Sequence, residues 1–136
     1  MKSFYKYLVY YYGFLQVVHL LMNFVVIFVP SFESASLLST NLDKGEFQVL
    51  LSSSYIDFLL ASPLGIVFVC GFMKNKKWAD TVGIISLTAA LVSAFIYTYF
   101  LVIFNAWEFS LPNILINIVF VPIFILYFLL LKNNSK

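Results

Sequence analysis

Arginine is absent from this chain of 136 residues, and cysteine and histidine occur once each, as Cys70 and His19. One thiol and one imidazole cannot assemble a structural zinc site or an iron–sulfur cluster, and a CxxC redox pair is excluded outright. Cys70, beside Gly71 in an apolar run, reads as an inert packing residue. With only 5 glycines there is no phosphate-cradling loop, and no GxSxG nucleophile motif occurs. Charged residues make up only 10% of the chain and the net charge is +2, so no basic surface is available for nucleic acid. The residues therefore point to no metal, no cofactor and no nucleic-acid partner.

What the chain does contain is oil. Hydrophobic residues reach 62% and aromatic ones 20%, with a mean hydropathy of +0.98, far outside the range of a soluble globular domain. A hydrocarbon core of roughly 30 Å demands uninterrupted apolar runs of about 20 residues. Four such runs can be drawn, at about 8–29, 47–73, 79–104 and 111–131. They are too long and continuous for the ten-residue alternation of an outer-membrane barrel strand. The expected fold is all-α: residues 1–136 form a single integral membrane domain, a bundle of four transmembrane helices.

Lys2 and Lys6 give the first run the positive start of a signal peptide, and Ser34-Ala-Ser36 resembles a cleavage site. The apolar stretch is longer than a secretory core segment, which favours a retained helix. Orientation follows from the lysines. Seven of the eight (Lys2, Lys6, Lys74, Lys76, Lys77, Lys132 and Lys136) fall on one side, whereas Lys44 stands on the other among Glu33, Asp43, Glu46 and Glu108. The positive-inside rule then puts both termini and the 74–77 loop in the cytoplasm. The membrane would be a bacterial inner membrane or the endoplasmic reticulum. Trp78, Trp107 and the tyrosines between Tyr5 and Tyr12 suit an aromatic belt, and the segment from Pro30 to Glu46 could form a short interfacial helix or a lid.

The puzzle is Asp57, a carboxylate inside the second run. Counting 1.5 Å per helical residue from each cytoplasmic end puts His19 roughly 16 Å deep, Asn23 roughly 22 Å, Asp57 roughly 24 Å, and Ser93 and Asn117 roughly 21 Å. Every helix thus offers a polar group to one layer. His19 and Asn23 share a helix face, as do Asn113 with Asn117 and Ser93 with Tyr97. An ionisable group at such depth costs about 2.5–3.5 kcal/mol, so Asp57 should face the bundle interior, where His19, Asn23, Asn117 and Tyr97 are candidate partners. Contact between Asp57 and His19 would hold both charged. Set against this, polar groups also serve as interhelical glue, and a carboxylate near a helix end can simply be wet. Small residues at Ala61 and Gly65, and at Ser86, Ala90 and Ala94, predict close helix approach. Pro63 and Pro122 predict kinks that open space near the polar layer.

Val18-His-Leu-Leu-Met-Asn-Phe24 is similar to the first-helix His-x-x-x-Glu segment of the EXPERA family's sterol Δ8–Δ7 isomerases. Asp57, with proline six residues on and an apolar run ending Phe-Met-Lys before a basic loop with Trp, resembles the family's sigma-2 receptor. Val119-Phe-Val-Pro-Ile-Phe-Ile-Leu126 resembles the family's proline-containing close, so the likeness covers nearly the whole chain. The departures are Asn23 and Ser54, where the isomerase acids would stand, and Ile118, where its tryptophan would stand.

The resemblance implies an intramembrane pocket for a sterol-like lipid or an amphipathic amine, lined by Phe58, Phe95, Tyr97 and Phe120, with Asp57, His19 and Asn23 at its floor and Asn117 nearby. Double-bond isomerisation would need one group to protonate the alkene and another to remove a proton, and only His19 and Asp57 are available. Three functions are open: lipid or amine binding, lipid isomerisation, and a non-catalytic packing or assembly role in a larger membrane complex. The last predicts no pocket and an outward-facing stripe of Ser86, Ala90 and Ala94. A homodimer is compatible with each.

Overall fold

The computed structural model describes residues 2–29, 31, 43–103 and 110–134, leaving aside the side chains at 2, 50, 101 and 110–119. All regular structure among the described residues is helical. Helix α1 is Lys2–Phe28, α2 is Lys44–Ile56 and α3 is Ser62–Met73; a π-helical turn, Asp57–Ala61, joins α2 to α3. Helix α4 is Ala79–Ile103 and α5 is Ser110–Asn134. The four apolar runs in the sequence therefore coincide with four helical rods, the second being α2, the π turn and α3 in series. The lid expected between Pro30 and Glu46 falls largely outside the described residues, as does Trp107.

Three stretches, Ser3–Phe28, Lys44–Met73 and Ala79–Phe100, are long and apolar enough to cross a membrane. At 26, 30 and 22 residues they measure roughly 39, 45 and 33 Å, against a hydrocarbon core of about 30 Å. Their large apolar side chains point outward: Phe14, Leu21 and Phe28 on α1 and Phe95 on α4 are more than half exposed. That surface suits hydrocarbon better than water.

Local chemistry sets the helix ends. Asp43 Oδ1 accepts from the Glu46 amide at 2.8 Å and Glu46 Oε2 accepts from the Asp43 amide at 2.9 Å, a reciprocal box that starts α2. Helix α3 stops in a Schellman arrangement: the Lys76 amide donates to the Gly71 carbonyl and the Asn75 amide to the Phe72 carbonyl. Asn75 takes the left-handed conformation this stop requires, at φ 51°.

The rods pack in the cyclic order α1, α2–α3, α4, α5, leaving α1 and α4 diagonal to one another. Glycines let the rods approach. A methyl group on Gly83 would lie 2.8 Å from the Phe68 ring, and one on Gly71 2.6 Å from Trp78. Toward the 74–77 loop the interior is filled by Leu8, Val9, Tyr12, Phe68, Leu87, Leu126 and Leu130. Toward the other end the rods enclose a hollow lined by His19, Asn23, Asp57 and Ser93.

Candidate functional site

The site begins at the π turn. Its defining bond runs from the Ser62 amide to the Asp57 carbonyl, which inserts one extra residue into the rod just before Pro63. The distortion expected at Pro63 thus takes the form of a widened turn whose first residue is the half-buried Asp57. Helix α2 places Ser53 and Ser54 one turn before Asp57, on the same face.

Asp57 opens onto a cavity of about 180 Å³ between the rods. Helix α1 supplies His19, Met22 and Asn23 to its wall, at spacings of three and four residues. Helix α4 supplies Ser93, Ala94, Tyr97 and Thr98, again one turn apart, and α5 supplies Phe120. His19 packs against Phe120 with ring centroids 6.4 Å apart. The Ser93 hydroxyl donates to the Ser53 carbonyl at 3.0 Å and lines the cavity together with Asp57. It therefore ties α4 to α2 at the level of the acid.

Most of the residues singled out in the sequence meet here. His19, Asn23, Asp57, Tyr97 and Phe120 share the cavity. Phe58 does not line it: its ring packs against Phe24 and Phe28, at centroid distances of 6.4 and 5.6 Å. Phe95 is 72% exposed and lies in a neighbouring groove rather than in the cavity. The side chain of Asn117 lies outside the described residues. Ser53, Met22, Ala94 and Thr98 join the wall unforeseen, although Ser53 precedes Asp57 by four residues and Thr98 follows Ala94 by four.

A second polar cluster lies one to two turns further along the bundle. Ser86 donates its single hydroxyl proton to the Ala61 carbonyl at 2.7 Å, so the 2.7 Å contact with Tyr12 has the tyrosine as donor. This pair joins the diagonal helices α1 and α4 through side chains. Beside it, Gln16 is 1% exposed and rests on Gly65, where an added methyl group would fall 2.5 Å from Gln16 Cγ. Neither the Oε1 nor the Nε2 of Gln16 has a hydrogen-bond partner, and the same holds for the Oγ of Ser62. Tyr12, Gln16, His19 and Asn23 therefore form a polar stripe running along the inner face of α1 toward the cavity.

Comparison with protein-family models, with curated proteins and with solved structures returns no match to this chain. Chemically, the site offers one carboxylate, one imidazole, a carboxamide and several hydroxyls in a small hollow between apolar helices. No group of three or more His, Cys, Asp or Glu side chains that could hold a metal ion exists among the described residues. The arrangement suits a hydrogen-bonding or cationic head attached to an apolar body.

Proposed function

We propose that this chain is an integral membrane protein of four spans, with both termini and the 74–77 loop in the cytoplasm, that binds an amphipathic amine or a sterol-like lipid in the cavity around Asp57. The observation that carries this reading is the convergence of Asp57, His19 and Asn23, from two different rods, on one hollow among otherwise apolar helices. A carboxylate held inside a membrane bundle is costly and marks a binding or transfer site by default. The EXPERA resemblance agrees with this placement: its three polar positions, His19, Asn23 and Asp57, all line the hollow.

Binding is favoured over isomerisation. The positions where the resemblance expects further acids hold Asn23 and Ser54, and both line the cavity as neutral groups. Protonating an alkene while removing a neighbouring proton would fall to His19 and Asp57 alone. Of the stripe that the assembly reading turns outward, Ser86 and Ala90 are buried against the neighbouring rods and Ala94 is partly buried, which favours the binding reading.

Mass spectrometry of lipid that co-purifies with the wild type, Asp57→Asn and His19→Ala in nanodiscs tests the proposal. A hydrophobic molecule retained by the wild type and lost from Asp57→Asn is the expected result. Identical lipid content in all three folded proteins would sink it.

A further inference from the structure

The cavity at Asp57 does not by itself enclose a ligand with a large apolar body. Sites that enclose drug-sized ligands measure about 300–1,000 Å³, and this one measures about 180 Å³. Next to it runs a second hollow of about 310 Å³ on the outer seam of α4 and α5. Leu91, Phe95 and Phe124 line only this second hollow, and its surroundings are almost wholly apolar. Three residues line both hollows: Ala94, Thr98 and Phe120. Ala94 and Thr98 lie one turn apart on α4 and are small, so the partition between polar chamber and apolar groove is a low sill beside the Phe120 ring.

From this geometry we infer that the ligand is a long-chain primary amine, its ammonium in the Asp57 chamber and its single flexible hydrocarbon chain laid over the Ala94–Thr98 sill into the α4–α5 groove. This inference rests on the reading that the chamber binds an amphiphile. An ammonium brings three donors, and the chamber offers the Asp57 carboxylate, the Asn23 carboxamide oxygen and the Ser54 hydroxyl as acceptors. A single hydrocarbon chain with free torsions can bend over a sill of this kind. The two hollows together then hold what neither holds alone. Phe120, buried between them with His19 at its back, sets the width of the passage.

Photocrosslinking separates this inference from the reading beneath it. An n-alkylamine carrying a diazirine at the chain end is irradiated with the wild-type protein in nanodiscs, with and without unlabelled n-dodecylamine, and the labelled residues are mapped. Labelling at Leu91, Phe95 or Phe124 that the competitor removes and Asp57→Asn abolishes is the expected result. Competed labelling confined to another face, such as Phe14 to Leu21 of α1, overturns the groove while leaving the chamber standing. An absence of competed labelling in the wild type overturns both.

A shape variant gives a second readout. Phe124→Trp fills the groove from its lipid-facing edge and does not touch the chamber. It should weaken n-dodecylamine binding about tenfold, the equivalent of two displaced methylenes, and leave n-butylamine unchanged. Leu91→Trp should behave alike. Equal dodecylamine affinity in the wild type and both variants overturns the groove assignment.

Discussion

The Ser86 hydroxyl of α4 donates to the carbonyl of Ala61, the last residue of the π turn, at 2.7 Å and accepts from Tyr12 of the diagonal helix at the same distance. Three rods thus meet at one oxygen, at the end of the π turn that begins with Asp57. Ser86→Ala leaves the Tyr12 hydroxyl without its partner in a buried, apolar setting. It should cost about 1–2 kcal/mol, and Tyr12→Phe should cost less, because the phenyl ring takes no polar group with it. Thermal or denaturant unfolding in detergent measures both. The double variant should cost less than the sum of the two single changes.

Gly65 is the contact point for Gln16. The methyl group of Gly65→Ala would fall 2.5 Å from Gln16 Cγ and 3.0 Å from the Ser86 hydroxyl, so the variant should lose about 1–3 kcal/mol. Shortening the neighbour relieves the nearer contact. Gly65→Ala combined with Gln16→Ala should therefore recover part of that loss, and an additive result would show that the two residues do not press on one another.

Gln16 itself is an uncompensated polar group. Its carboxamide is buried without a hydrogen-bond partner, so Gln16→Met should raise stability by about 1–2 kcal/mol at nearly constant volume. A midpoint that falls instead, measured in the same detergent, would mean that the amide is satisfied within the membrane.

The stop after α3 depends on backbone handedness. Asn75→Gly should match or slightly exceed the wild type in stability, and Asn75→Val should lose about 1–2 kcal/mol because a β-branched residue resists φ 51°. Both changes lie far from the cavity, so amine binding should be equal in the two variants.

Much of the architecture is legible in the sequence, because the lengths of apolar runs report directly on helices made for a bilayer. The runs at 8–29 and 79–104 fall on α1 and α4 within a few residues at most ends. The polar layer is legible for the same reason, since depth follows from counting residues along a helix. Rotation about each helix axis is harder to read. A helix that is apolar all round carries little periodic signal, so nothing local tells Phe58, which packs on Phe24 and Phe28, from Phe120, which lines the cavity. The π turn adds to the difficulty. One inserted residue shifts the register between Ser53 and Gly65, and a count at the ordinary helical pitch no longer predicts which of them share a face. Gln16 is missed because it stands outside the layer that draws attention to His19 and Asn23, and it stands out only once it is found buried without a partner.

The hollow at Asp57 is backed by solid packing. Below it the interior is closed by Tyr12, Phe68, Leu87, Leu126 and Leu130, all buried side chains drawn from α1, α3, α4 and α5. The molecule is built like a cup rather than a pipe. Among the described residues, the hollow has no continuation past this layer along the bundle axis.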